Sequence, residues 1–210
     1  MNKEVRNMLE NVYRIFKHKY SETFQAWNNF IEFLLIDNSE TWIKQLERIP
    51  EWLVKEDAFI KKAIMNYDAK LIRSDYYDHL GDMYFTKFNL DRTKHLQSVE
   101  NIALFADMNI RQTNLEIGIL DPSMKTGRYL MAIHKIAPKS VLFGVESDIQ
   151  LLRIAYVNFA IHGIQAYVLH ANSNIHEIEL DKDFGIYNWQ YMNNWNSCID
   201  KMKKKISILN

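Results

Sequence analysis

The segment that most constrains this chain lies between residues 115 and 146. Leu115-Glu116-Ile117-Gly118-Ile119-Leu120 is a largely apolar run that closes on Asp121-Pro122. Ser123-Met124-Lys125-Thr126-Gly127 follows as a short loop, and Arg128-Tyr129-Leu130 opens a helix-like pattern. Some twenty residues on, Val141-Leu142-Phe143-Gly144-Val145-Glu146 is a second apolar run that ends in a carboxylate. Two buried strands joined through a helix make a βαβ unit. In the nucleotide-binding form of that unit, the loop after the first strand brings backbone close to the ligand. The acid after the second strand accepts hydrogen bonds from ribose hydroxyls.

Glycine divides the rest of the chain. Of 6 glycines, only Gly81 lies in the first half, while Gly118, Gly127, Gly144, Gly163 and Gly185 lie in the second. Positive-φ turns and close backbone approach are needs of α/β units more than of helix bundles. The first half accordingly reads as helices. Val12, Ile15, Phe16 and Tyr20 recur at helical spacing, as do Trp27, Phe30, Ile31 and Leu34. Asp37-Asn38-Ser39 is a break, with Ser39 placed to cap a helix carrying Trp42, Ile43 and Leu46. Pro50 suits a first helical turn ahead of Trp52, Leu53, Phe59, Ile60 and Ile64. Further helices are expected over 74–85 and 99–108. The aromatic stripes on these helices read as packed core, with a partner-binding face as the alternative.

The second half alternates. Strands are expected over 115–120, 141–145, 166–169 and 184–187, with helices over 126–136 and 149–162. The second of those helices carries a buried face of Ile149, Leu152, Ala155, Tyr156 and Phe159, and Gly163 stands where a left-handed residue ends a helix. The fold class is therefore α/β. A helical domain over 1–110 precedes a short, doubly wound, Rossmann-like core over 111–210 with a parallel sheet.

Composition narrows the function classes. Lys+Arg and Asp+Glu balance at 26 each in the 210 residues, so no global field draws nucleic acid or membrane. Cys198 is the single cysteine, which excludes a disulfide framework and fits a reducing cytoplasm. No run approaches the ~18 apolar residues of a bilayer span, and the N-terminus lacks a signal-peptide pattern. His134, His162, His170 and His176 show no ligand spacing with cysteine or carboxylates, so no metal is expected.

The second-half motifs resemble those of the N6-adenine DNA methylases, especially the methylation subunits of type I restriction–modification systems. In that family the first strand ends in Asp-Pro-x-x-Gly-[Ser/Thr]-Gly-x-x-Leu, the cradle of S-adenosylmethionine. Asp121, Pro122, Thr126, Gly127 and Leu130 match it, and Lys125 replaces its first glycine. A second family segment is similar to Gly144-Val145-Glu146-Ser147-Asp148 and to Arg153-Ile154-Ala155-Tyr156-Val157-Asn158-Phe159-Ala160-Ile161-His162-Gly163-Ile164. Leu80-Gly81-Asp82-Met83-Tyr84 resembles the helical lead-in to a Phe-Thr-Pro element, with Ser98-Val99 where Thr-Pro would stand. The catalytic Asn-Pro-Pro-Tyr/Phe of the family corresponds to Asn188-Trp189-Gln190-Tyr191 here.

The resemblance implies a methyltransferase core that binds S-adenosylmethionine through Asp121, Pro122, Thr126, Gly127 and Glu146. Asn172, after the third strand, would stand where the adenine ring is read. It implies Asn188 and Tyr191 as the catalytic pair: an acceptor for charge developing on the adenine amine and a stacking ring for the flipped base. Both prolines that would fix the intervening carbonyl are replaced, so the aim of that carbonyl is not fixed by the sequence. A carbonyl displaced by about an ångström can cost about a hundredfold in rate. Two functions follow: an adenine-N6 DNA methyltransferase with weak or lost catalysis, or an inactive methylase-fold module that oligomerises or recruits DNA or a protein. A four-stranded sheet with an open edge leads to the expectation of a homodimer or a partner subunit. Lys201, Lys203, Lys204 and Lys205 form either a solvated helix end or a phosphate-contact patch. By analogy with truncated methylases, a phage or conjugative plasmid is the expected setting.

Overall fold

The computed structural model describes residues 2–38, 58–91, 101–104, 107 and 118–170. The chain divides into two compact units, Met1–His79 with Ala160–His162, and Leu80–Phe159 with Gly163–Asn210.

The described part of the first unit is built from helices. Helix α1 spans Lys3–Lys19 and α2 spans Thr23–Asn38. Asn2 caps α1 by accepting the Glu4 amide on Oδ1 at 2.9 Å, and Lys17 and Lys19 place cationic side chains against the negative end of the helix dipole. The short 20–22 connection brings α2 back against α1, and their facing aromatic stripes become the core. Phe16, Trp27 and Phe30 are fully buried. Their rings meet in edge and tilted contacts, with Phe16–Phe30 centroids 6.0 Å apart and Trp27–Phe30 centroids 5.6 Å apart. Helix α3, Ala58–Asn66, adds Phe59 edge-on to Phe16 at 5.7 Å. The packed-core reading of the aromatic stripes therefore holds for those on α1 and α2. Trp42 and Trp52 lie outside the described residues.

The helix expected over 74–85 is instead two. Helix α4 spans Ala69–Ser74, capped by Asp68, whose Oδ1 accepts the Lys70 and Leu71 amides at 2.8 and 3.0 Å. Helix α5 spans His79–Lys87. The chain opens between them because Asp75 is extended at φ −113° and its carboxylate serves two distant groups. Its Oδ2 accepts the Asn2 backbone amide at 2.8 Å and meets His79 Nε2 at 2.7 Å. Burial raises the Asp75 pKa, but the Asn2 amide and the His79 side chain outweigh it and hold the carboxyl below its ordinary value. His79 is also held below its ordinary value, by burial, against the pull of Asp75 and Asp78. Both directions fit an ionised Asp75 accepting from a neutral imidazole that carries its proton on Nε2.

The described part of the second unit holds a parallel sheet. Strand β1 is Gly118–Asp121, β2 is Val141–Glu146 and β3 is Ala166–His170, in the order β1-β2-β3. Asp121 pairs with Gly144, and Glu146 pairs with His170. Central β2 is buried from Leu142 to Glu146, as a strand covered on both faces requires. Phe143 and its partner Tyr167 stack at 5.0 Å across β2 and β3. Helix α6, Arg128–Ile136, connects β1 to β2, and α7, Ile149–His162, connects β2 to β3. The three strands run in one winding direction. The reversal that a doubly wound sheet needs and the strand expected over 184–187 lie outside the described residues; of the helix expected over 99–108, residues 101–104 and 107 are described and are helical.

Helix α7 corrects a second expectation. Its burial is not confined to one face: Leu151, Ile154, Val157, Asn158 and Ile161 are buried together with Leu152, Ala155, Tyr156 and Phe159. A helix apolar on all sides is an interior helix, so its five-residue periodicity was an incomplete signal. Asp148 caps its start by accepting the Gln150 amide at 2.7 Å. Gly163 ends it at φ +66°, with the Ile164 amide returning to the Phe159 carbonyl at 2.9 Å, a Schellman closure. Among the described residues no helix is long and apolar enough to cross a membrane.

The last turn of α7 belongs to the first unit, where His162 lies 4.6 Å from the Tyr76 ring. Burial pushes His162 down to about 4, against a hydrogen bond to the Tyr77 backbone and with a further push from His79. The folded chain thus resists a proton that the unfolded chain takes up near pH 6.5, so stability falls as pH drops from there through about 4. At about 1.4 kcal/mol per pH unit, the loss is on the order of 3 kcal/mol. Replacement His162→Gln should flatten that part of the acid limb in thermal melts recorded between pH 7 and pH 4. An unchanged pH profile in the variant would show that His162 titrates normally in the fold.

Candidate cofactor site at the carboxyl edge of the sheet

Ligands of parallel α/β sheets bind beyond the carboxyl ends of the strands, and two carboxylates meet there. Asp121 ends β1 and Glu146 ends the neighbouring β2. The loop between Asp121 and α6 folds over the end of β2 and is tied to it twice. The Met124 amide donates to the Val145 carbonyl at 2.9 Å, and the Lys125 amide donates to Glu146 Oε2 at 2.9 Å. The loop also closes on itself, with the Gly127 amide donating to the Met124 carbonyl at 2.8 Å. Loop and acid, widely separated in sequence, therefore form one constellation.

Three local features let the loop take this path. Lys125 lies at φ +54° and Gly127 at φ +83°, both left-handed. Gly127 has a second reason to be glycine: a Cβ there would come within 2.7 Å of the Phe159 ring and 3.3 Å of Ala155. Lys125 has no such excuse and occupies a backbone conformation that favours glycine, where the family motif itself has one. Gly144 is the floor of the loop. Met124 is buried over it, and a Cβ on Gly144 would stand 2.2 Å from the Met124 sulfur. Helix α6 begins at Gly127 without a side-chain cap, and the Met131 amide makes the first bond back to the Gly127 carbonyl at 2.9 Å. The helix expected from 126 therefore starts at Arg128, because Gly127 is left-handed.

Glu146 is only 4% exposed, and the geometry of its carboxylate sets what it can still bind. Oε1 accepts the Ser147 and Asp148 amides, each at 2.9 Å, while Oε2 accepts the Lys125 amide. A carboxylate offers about four lone-pair positions, so one acceptor position remains, on Oε2. Asp121 is in a different state. Burial raises its carboxyl above the ordinary range and the charge of Glu146 adds to that, while the Ser123 amide and the Lys125 side chain oppose it. The Ser123 amide reaches Asp121 Oδ1 at 3.2 Å. Pro122 is exposed in the turn that follows Asp121, and Thr126 is fully buried.

Of the residues expected to serve the site, the structure brings together Asp121, Pro122, Thr126, Gly127 and Glu146. Asn172, Asn188 and Tyr191 lie outside the described residues, as do Lys201, Lys203, Lys204 and Lys205. Two supports had not been singled out from sequence. Arg128, the first residue of α6, pairs with buried Asp82 of α5 at 2.5 Å. Asn158 of α7 donates from Nδ2 to the Thr126 carbonyl at 3.0 Å inside the core. The signal for Asn158 was available: it is an amide within the apolar stretch 154–161 of its helix. Among the described residues no group of three or more His, Cys, Asp or Glu is arranged to hold a metal ion.

No family model matches this sequence, and no curated protein matches it. One similar solved structure is that of a candidate class I S-adenosylmethionine-dependent methyltransferase from Listeria monocytogenes. The two share 18% sequence identity at a TM-score of 0.53, over 81% of this chain and 53% of that one. At that identity the likeness shows the fold: a helical and parallel-sheet α/β arrangement of the class I methyltransferase kind. This chain spans about half the length of that protein.

The two left-handed loop residues should respond in opposite ways to substitution. Gly127→Ala adds left-handed strain and a ring clash and should cost about 2–4 kcal/mol in chemical denaturation. Lys125→Gly relieves strain and should stabilise by about 1 kcal/mol. Equal, small effects from both would mean that the loop does not adopt this conformation in solution.

Proposed function

We propose that this chain binds S-adenosylmethionine at the carboxyl edge of β1 and β2 and is a methyltransferase of the adenine-N6 type acting on DNA. The observation that carries the reading is the closure of the 122–127 loop onto Glu146. It places a left-handed, glycine-containing turn, the uncapped start of α6 and a strand-end acid around one edge of the sheet. Each part suits a different portion of an adenosyl cofactor. The remaining acceptor position on Glu146 Oε2 suits a ribose hydroxyl, and the start of α6 suits an anionic group such as a carboxylate. Asp121, half-buried beside the loop with its carboxyl held above the ordinary range by burial, suits a cationic or amino group. The cofactor supplies an activated methyl group. Asn188 and Tyr191 are the residues of this chain proposed to receive the target base, and Asn172 the one proposed to meet the adenine ring.

A second reading is favoured by two observations. Glu146 already spends three of its acceptor positions on backbone amides, so a ribose diol can gain one bond there without displacing the loop. The sequence Asn188-Trp189-Gln190-Tyr191 lacks the paired prolines that would hold a backbone acceptor in place. On this reading the chain is a methylase-fold module with weak or no catalysis, and it works with DNA or as a homodimer or partner subunit.

Calorimetry with S-adenosylmethionine and S-adenosylhomocysteine tests the cofactor half, and tritiated methyl transfer to unmethylated DNA tests the catalytic half. Binding together with transfer that Asn188→Ala abolishes is the expected result for the enzyme. Binding without transfer supports the module, and no heat at high micromolar ligand overturns the enzyme reading and removes cofactor binding from both.

A further inference from the structure

Asn158 is a buried amide without an assigned role, and its side chain donates to the carbonyl at the centre of the loop. It is 2% exposed, and Thr126 is fully buried. Around it Leu152, Ile154, Ala155, Val157 and Ile161 make α7 an apolar rod, so an amide there carries a desolvation cost that a leucine would not. That cost is offset by the bond from Nδ2 to the Thr126 carbonyl at 3.0 Å. Thr126 stands between the two left-handed residues, Lys125 and Gly127. The peptide that carries this carbonyl also carries the Gly127 N–H, which closes the turn on the Met124 carbonyl at 2.8 Å, so fixing it fixes the turn that presents the Lys125 amide to Glu146. A second contact from the same helix acts in the same sense: the Phe159 ring fills the space that a side chain at residue 127 would need.

We infer that Asn158 is a positioning residue of the cofactor loop: its side-chain amide, by holding the Thr126 carbonyl, sets the turn that delivers the Lys125 amide to Glu146. This deepens the proposed cofactor site, but the geometry it concerns exists in the free protein. Asn158 reaches no ligand itself; it acts through the backbone of Thr126.

The test is amide exchange of the cofactor-free protein, read as protection factors at Met124 and Lys125 of the loop and at Leu142 and Val145 of β2. Replacement Asn158→Leu conserves volume and removes the donor. It should lower protection at Met124 and Lys125 about tenfold, the worth of one buried hydrogen bond, with β2 unchanged. Replacement Asn158→Asp keeps the shape but donates only when protonated, so loop protection should return towards the wild-type level on acidification. Wild type measured at the same pH values accounts for any pH dependence that the substitution does not introduce. Unchanged loop protection in Asn158→Leu would overturn the inference, as would an equal loss in β2, which would mark a general core role. Wild-type loop amides that exchange as freely as an unstructured peptide would also overturn it. Should Asn158→Leu not fold, the pH profile of Asn158→Asp decides, and a profile parallel to wild type overturns the inference. In parallel calorimetry with S-adenosylhomocysteine, Asn158→Leu should weaken binding about tenfold relative to wild type. Absence of binding by wild type would remove the cofactor reading and leave the exchange result standing.

Discussion

The hydrogen bond from the Lys125 backbone amide to the Glu146 carboxylate is the interaction on which the candidate site depends. It joins the loop after the first strand to the acid after the second, so two separate sequence features become one surface. Its geometry also limits the site. The carboxylate is buried and already holds three amides, which keeps it fixed and selective about what else it accepts. A buried acid held in this way is preorganised, because little of its orientation remains to be set when a ligand arrives. The same arrangement leaves one acceptor position on Oε2, beside the loop amide.

Much of the architecture was legible in the sequence because local physics determined it. The α7 boundaries were readable from a 14-residue apolar pattern with an Asp148 start and a Gly163 stop, and both terminal devices operate in the structure. The β2 strand was readable as a continuous apolar run because a central parallel strand is buried on both faces. The convergence of Gly127 and Glu146 followed from βαβ geometry. What sequence could not supply were contacts made at long range. Asp75 interrupts a helical pattern because Asn2, from the far end of the unit, and His79 draw its carboxylate aside. Nothing local to residues 74–85 announces that partner. Asn158 looked like part of a motif, and only the fold shows that it faces a loop carbonyl 32 residues away.

Lys125 shows how a site can depart from a motif and keep its shape. The position remains left-handed although a glycine no longer occupies it, so the backbone geometry survives the substitution at a cost in strain. The energy that holds it there comes from neighbours: the Met124 amide on Val145, the Gly127 amide on Met124 and the Asn158 amide on Thr126. The side chain at Lys125 also lowers the Asp121 carboxyl slightly, against burial and the charge of Glu146, where glycine would do nothing.

The most direct measurement of the central claim is a two-dimensional amide spectrum of the labelled chain titrated with S-adenosylhomocysteine. The account predicts that the largest, saturable shifts fall on the Lys125, Ser147 and Asp148 amides, the three donors to Glu146. Saturable shifts confined to the α1–α2 helices, or none at these three amides at millimolar ligand, would contradict it.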